Sequence, residues 1–303
     1  MQQDDRSGLL FALAGFACLS VGDAVIKTIS GEWSPIAVAA LRFTFGAVGL
    51  AILLGMREGV AGFRPSHPWL QLGRGFCLAM ATLGFFSAIF VMPLAEATAL
   101  VFLAPILTAL LSGPLLGEKV RPAVWIASVA AFVGVLVILR PNVAALGVTA
   151  FLPVGAAFFM ALLMIANRAA AGQGSVLSMQ AYMAISAAAI LAVAAFIGRA
   201  SGIEILQFGW PDLSIVLRCA VVAVTASTAH WLVFMGTTRA GAASIAPMTY
   251  VQLLVASALG WWWFDDSPDL GTLAGAAIII GAGLFLWQQG RFSRIAPAKS
   301  SKR

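Results

Sequence analysis

The sequence predicts an all-α integral membrane protein of ten transmembrane helices, arranged as two inverted five-helix repeats. Composition is the first reason. Of 303 residues, 61% are hydrophobic and 10% charged, against about 25% charged in ordinary globular domains. A mean hydropathy of +0.97 leaves too little polar surface to cover a water-soluble fold. Second, apolar blocks able to cross a ~30 Å hydrocarbon layer recur along the whole chain, which argues for helices and against a β-barrel. Third, the chain writes one stretch twice.

The first copy, residues 93–140, runs PLAEATALVFLAPILTALLSGPLLGEKVRPAVWIASVAAFVGVLVILR. The second, from Thr238, runs TRAGAASIAPMTYVQLLVASALGWWWFDDSPDLGTLAGAAIIIGAGLFLW. Each starts with an Ala-rich segment and carries a proline in mid-helix, Pro105 or Pro247. Each then reaches an acidic turn, EKVRP or DDSPD, and closes on an apolar helix with a central glycine, Gly134 or Gly281. Upstream, LGRGFCLAM answers VLRCAVVAV, which sets Arg74 against Arg218. Repeats of this kind mark one structural unit used twice.

Gly, Pro and charged residues divide the chain into candidate spans at about 8–29, 35–56, 69–92, 96–116, 121–140, 147–168, 176–198, 211–236, 240–263 and 269–288. A cytoplasmic N-terminus puts Arg6, Arg57, Arg64, Arg74, Lys119, Arg121, Arg168, Arg239 and the basic tail on the inside. The outside then holds only Arg140 and Arg199, with Glu32, Glu96, Glu204, Asp212, Asp265, Asp266 and Asp269. That asymmetry fixes both termini in the cytoplasm of a bacterial inner membrane. Five spans per unit, an odd number, invert the second copy. The units are residues 1–142 and 143–290, followed by a basic tail at 291–303 that faces anionic lipid. The first block does not read as a cleavable signal, because it carries Asp23 and Lys27 and runs into GEWSP.

GDAVIK…SP…LRF in spans 1 and 2, the PLAEATALVFLAPILTALLSGPLLGEKV block and its degenerate echo resemble the EamA branch of the drug/metabolite transporter superfamily over about residues 8–289. The resemblance implies a secondary transporter, usually an exporter of small metabolites. Its central cavity would be lined by spans 1–4 and 6–9, with spans 5 and 10 in support. Within that branch the chain is most similar to exporters of amino acids, aromatic ones included.

Asp23, Lys27 and Arg42 are the leading candidates. Asp23 and Lys27 are i,i+4 on one helix face. Counting 1.5 Å per residue, Asp23 and Arg42 lie roughly 10–12 Å below the surface. A charge at that depth costs about 2.5–3.5 kcal/mol on insertion scales, so the three should face one another or a wet cavity. They serve either as a polar end of a substrate site or as an ion network that pins span 1 to span 2. His230 and Trp231 on span 8 follow, the imidazole being able to line a cavity, carry a proton or bond two helices together. Pro105 and Pro247 each remove a backbone hydrogen bond and kink a span. Tyr250 and Gln252 on span 9, Gln180 and Tyr182 on span 7, and Phe86 and Phe90 on span 3 complete the cavity set, the phenylalanines suiting an apolar or aromatic substrate.

Other signals read as structure. Trp33, Trp69, Trp125, Trp210, Trp261–Trp263 and Trp287 lie near span ends as an interfacial belt. DDxxD at Asp265–Asp269 is a tight loop with an acidic helix start and no second acidic motif. Cys18, Cys77 and Cys219 fall inside apolar blocks, with no disulfide or metal spacing. The net charge of +6 is dispersed through loops, which excludes a nucleic-acid patch. HExxH, a partnered GxSxG and a Walker A lysine are all missing, so no catalytic residue, cofactor, metal or ATP hydrolysis is expected. The alternatives are an enzyme on lipid-linked substrates, which would need paired acids or a nucleophile, and a channel or sensor, which would need a charge ring or filter. The expected partners are a small molecule and lipid, and one chain can satisfy its own packing as a monomer.

Overall fold

In the computed structural model, residues 3–117, 122–170, 173–203, 206–240 and 246–295 are described, with side chains at 6–115, 117, 122–139, 143–170, 173–203, 206–236, 239 and 248–289. The EKVRP turn before Pro122, Glu204 and the tail beyond 295 lie outside the described residues, as do the side chains of Arg140 and Pro247. Eleven α-helices are described: α1 (Gln3–Lys27), α2 (Pro35–Glu58), α3 (Pro68–Val91), α4 (Leu94–Val101), α5 (Ala104–Leu116), α6 (Pro122–Leu146), α7 (Leu152–Ala169), α8 (Val176–Ala200), α9 (Leu213–Ala240), α10 (Val251–Phe264) and α11 (Leu270–Ile295). Short 3-10 turns occupy Gly59–Phe63, Gly147–Phe151 and Ala246–Tyr250. Among the described residues nine stretches are long and apolar enough to cross a membrane. The tenth candidate, 240–263, straddles the undescribed 241–245 and is represented by the 246–250 turn and α10.

Packing arranges the spans in a closed ring. α1 lies against α9, α9 against α2, α2 against α8, α8 against α3 and α3 against α7; α7 meets α4 and α5, α4 meets α10, and α10 returns to α1. α6 and α11 stand outside the ring and pack on each other. Small residues set the closest approaches. A Cβ on Gly15 of α1 would sit 2.8 Å from the Ala229 carbonyl of α9, and one on Gly236 would sit 2.7 Å from the Gly8 carbonyl. Gly134 of α6 meets Gly275 of α11 in the same way, each 2.7–2.8 Å from the other's carbonyl. The sequence repeat matched Gly134 with Gly281 instead, and Gly281 faces open space. The close crossing is therefore six residues nearer the start of α11 than the repeat suggests.

The prolines act differently from the expected mid-helix kinks. The fourth span breaks outright at Phe102–Leu103. Pro105 is the second residue of α5, where a missing N–H leaves no bond unmade. The Phe102 and Leu103 amides bond in short i→i−3 fashion to Ala99 O and Leu100 O. The ninth span has a similar break, the 246–250 turn leading into α10. Phe102 and Tyr250, one at each break, meet edge-to-face at 5.3 Å. Glu96, expected in a loop, is instead buried in the first turn of α4, where it accepts the Thr272 hydroxyl of α11 at 3.0 Å.

Candidate functional site

Asp23 projects toward the ring interior. On α1, Gly15 and Gly22 face α9, where a Cβ on Gly22 would meet Thr225 and Val222. Ser20 faces α10 and donates to Gln252 O at 3.0 Å. Helical geometry puts Asp23 between those two directions, and the opposite side carries exposed Leu10 and Val21. Arg42 reaches the same space from α2. Its guanidinium lies 4.5 Å from the Phe43 ring and 5.9 Å from Phe86 of α3. It also interacts electrostatically with Asp23 of α1 and with Cys219 and His230 of α9. A side chain on α2 meets groups of α1, α3 and α9 together only from inside the ring.

His230 continues the α9 row Cys219–Ala223–Ala226, whose first three members are buried, and is itself exposed. The imidazole is within electrostatic reach of Arg42. Asp23 and Arg42 are half-buried. Neither they nor His230 make a hydrogen bond or a close ion pair with a described residue. Polar groups at membrane depth are normally paired. Here an acid, a guanidinium and an imidazole are brought together without direct partners, over the buried face of Phe86, which is 3% exposed.

Lys27 does not join them. Its ammonium pairs with Asp266 at 2.5 Å, donates to Met92 O at 3.0 Å and lies 5.0 Å over the Phe264 ring. The i,i+4 spacing from Asp23 allowed a pair on one face, but a loop carboxylate outside the repeat of helix turns lies closer. The DDxxD loop thereby resolves into separate roles. Asp265 ends α10 in the left-handed conformation, Asp266 holds Lys27, and Asp269 caps α11 by accepting the Thr272 amide at 2.6 Å. That capping bond holds the Asp269 carboxyl below its ordinary range.

Other candidates fall at the ends of the ring. The Tyr182 hydroxyl donates to Gly62 O, so it fastens α8 to the α2–α3 connection instead of lining the centre. Gln180, half a turn before it, is exposed. Trp231 is 57% exposed, a quarter-turn away from His230. Phe90 packs against the core and contributes its carbonyl to Ser30. Pro105 starts α5 and is exposed. Tyr250 and Gln252 are half-buried: the Tyr250 ring meets Phe102 and its hydroxyl lies beside Gly283 of α11, while the Gln252 carbonyl accepts from Ser20 of α1. Trp33, assigned to the belt, donates its indole N–H to Gly209 O at 3.1 Å.

Apart from Cys18–Thr225 and Ser20–Gln252 within the spans and Thr272–Glu96, the bonds that join residues before 143 to residues after it gather at the two ends of the ring. At the α1–α2 end, Arg218 of α9 donates to Thr28 O at 2.9 Å and grips Glu32 with two guanidinium nitrogens, in addition to Lys27–Asp266 and Trp33–Gly209. Arg218 holds the Glu32 carboxyl below its ordinary range. At the α2–α3 end, Arg74 of α3 donates to Asn167 of α7 at 2.7 Å and to Met179 O of α8 at 3.1 Å, and Gln71 supports it at 2.5 Å. Ser175 donates to Glu58 at 2.5 Å and Ser66 to Gln173 O at 3.0 Å in the same layer. Sequence reasoning aligned Arg74 with Arg218 but gave neither a role.

Comparison with known proteins shows one family. The profile of the EamA-like transporter family matches residues 6–140 and again 147–288. The chain is 25% identical to an S-adenosylmethionine uptake transporter of Rickettsia prowazekii, over 92% of both chains. It is 26% identical to a riboflavin transporter of Brucella anthropi, over 93% of this chain and 97% of that one. It is 27% identical to the pseudopaline exporter CntI of Pseudomonas aeruginosa, over 93% and 96%. A solved crystal structure with no stated function superposes with a TM-score of 0.64 at 22% identity, over 94% of this chain and 99% of that one, which speaks for the fold alone.

Proposed function

The chain belongs to the EamA-like transporter family, and from that premise we propose a bacterial inner-membrane secondary transporter of small metabolites that carry an amino-acid head group on an aromatic or apolar body. The observation that carries the reading is the pairing of an unbonded Arg42 with an unbonded Asp23 inside the ring. A zwitterion offers each a hydrogen-bonding partner of opposite charge, while Phe86 and Phe43 supply apolar and stacking surface. Its ammonium would face Asp23, and its carboxylate would take the guanidinium fork of Arg42. S-adenosylmethionine, named for one relative, contains such a head group.

Movement would be by alternating access between inverted units at 1–142 and 143–290. Two features support this. The family profile matches once in each unit. Counting spans, the contacts α1–α9, α2–α9 and α1–α10 recur as α7–α3, α8–α3 and α7–α5 when each span is exchanged for the one five places along. The loop charges put the α1–α2 end outside and both termini in the cytoplasm. The relatives are named for uptake and for export, so export, the direction implied by the resemblance, is one arm of the test.

The test is counterflow and efflux by purified protein in liposomes, with labelled tryptophan, phenylalanine, threonine, S-adenosylmethionine, riboflavin and a sugar in parallel. Saturable movement of the amino-acid-headed compounds, lost in both Asp23→Asn and Arg42→Ala, is the expected result. Movement of riboflavin alone would overturn the head-group reading, and equal activity of wild type and both variants would overturn the site.

A further inference from the structure

We infer that Arg74 and Arg218 are reciprocal gate latches, each closing one end of the ring and each opened in turn during transport. The inference rests on the alternating-access reading above but uses different residues. The two arginines occupy matching places in the sequence repeat, within LGRGF and VLRCA. They lie at opposite ends of the ring. Each reaches out of its own unit into the other: Arg74 from α3 to the last turn of α7 and the start of α8, Arg218 from α9 to Thr28 and Glu32 in the α1–α2 connection. If one unit rocks against the other, bonds between the units must break at one end while those at the other persist. An arginine fork suits that task, since one side chain holds several acceptors at once and releases them together.

The two latches differ in build. Arg74 is 3% exposed and meets only neutral acceptors. Arg218 has a quarter of its side chain exposed and closes on a carboxylate that is 45% exposed. The Arg218 end is therefore the more easily loosened of the two.

Cys219 reports the outcome without any substrate. It is fully buried, adjacent to Arg218, and interacts with Arg42 inside the ring. With Cys18 and Cys77 replaced by Ala, it is the one thiol left in the chain. Its rate of modification by a membrane-impermeant methanethiosulfonate is measured from outside in right-side-out vesicles. Glu32→Gln weakens the Arg218 latch and should raise that rate by about fivefold, the low end of measured couplings between sites. Asn167→Ala weakens the Arg74 latch, favours opening at the other face and should lower the rate by a similar factor. Asn167→Asp gives Arg74 a charged acceptor and should raise it. A fall in Asn167→Ala cannot come from unfolding, which would expose Cys219. Changes of the same sign in Glu32→Gln and Asn167→Ala, or no change in either, would overturn the latches. The same opposed pattern seen only in inside-out vesicles would support the latches and overturn the topology. The latches also survive a failed substrate test, because labelling requires no flux.

Discussion

Replacing Arg42 by Ala separates a binding role from a structural one. Within the protein, Arg42 makes two ring contacts, at 4.5 Å to Phe43 and 5.9 Å to Phe86, and no hydrogen bond to a described residue. Such contacts contribute about 0.5–1 kcal/mol each at accessible sites. Against them stands the cost of holding a guanidinium without a direct hydrogen-bond partner at membrane depth, up to about 2.5–3.5 kcal/mol on insertion scales. The variant should therefore melt at the wild-type temperature or above it in nanodiscs. Substrate binding should suffer. Losing a charged, two-pronged bond to a carboxylate costs about 1.5–3 kcal/mol, or roughly 10- to 150-fold in Kd. Arg42→Lys keeps the charge without the fork and should fall between the two. Binding is read by quenching of the tryptophan fluorescence, and stability by the melt of the same samples. A variant that melts several degrees lower while binding normally would refute the reasoning and make Arg42 a pin between helices.

Four further outcomes follow from the geometry. Asp266→Asn removes the partner of Lys27 at a pair whose side chains are 11% and 27% exposed, between the surface and buried regimes, and should lower unfolding stability by about 2 kcal/mol. Gly275→Val drives a Cβ to within 2.6 Å of the Ile138 side chain and 2.7 Å of a carbonyl, and should cost about 1–3 kcal/mol or more, whereas Gly281→Ala meets open space and should be neutral or stabilising by about 0.5–1 kcal/mol in the same melt. Asp269→Ala removes the cap of α11 and should cost about 1 kcal/mol. Glu32 titrates below its ordinary value of 4.5 because Arg218 bonds its charged form, so the latch is intact above that value and is lost as pH falls through the lower one. Outside labelling of Cys219, corrected with a surface cysteine, should be flat from pH 7 to 5 and rise on further acidification; a rise already between 7 and 6 would assign the change to another group.

Span positions were legible because each is written in residues close together in sequence. Apolar run length sets a span, and the prolines fell within a few residues of the breaks at 102–103 and 246–250. Asp23 and Arg42 were legible for a different reason, since a charge inside an apolar run has few tolerable places to go. Lys27 was misassigned because pairing is decided in space: i,i+4 proximity to Asp23 is a local fact, while Asp266 arrives from 239 residues away. Tyr182 and Gln180 lie near the start of α8, where the sequence cannot tell a central face from a rim. The latch arginines were visible as a matched pair, yet their acceptors are an amide side chain, carbonyls and a loop glutamate that carry no pattern of their own.

The pair α6–α11 has the look of scaffolding, yet its position gives it an electrical task. Both interrupted spans lie where it packs: α6 covers α4 and α5, and α11 covers α4, α5 and the 246–250 turn. A break in a helix leaves peptide dipoles without their usual partners, and hydrocarbon offers them none. Facing outward, α6 presents Trp125, Ile126, Val129, Phe132 and Leu136 to lipid, and its Ala127–Ala131–Val135–Ile138 row turns in. Two unbroken helices therefore insulate two broken ones from the oil, sealed at a glycine crossing too tight to admit a lipid chain. Without that sleeve the breaks in the eight-span ring would face a medium that offers their peptide groups no partner, which gives α6 and α11 a physical reason to stand where they do.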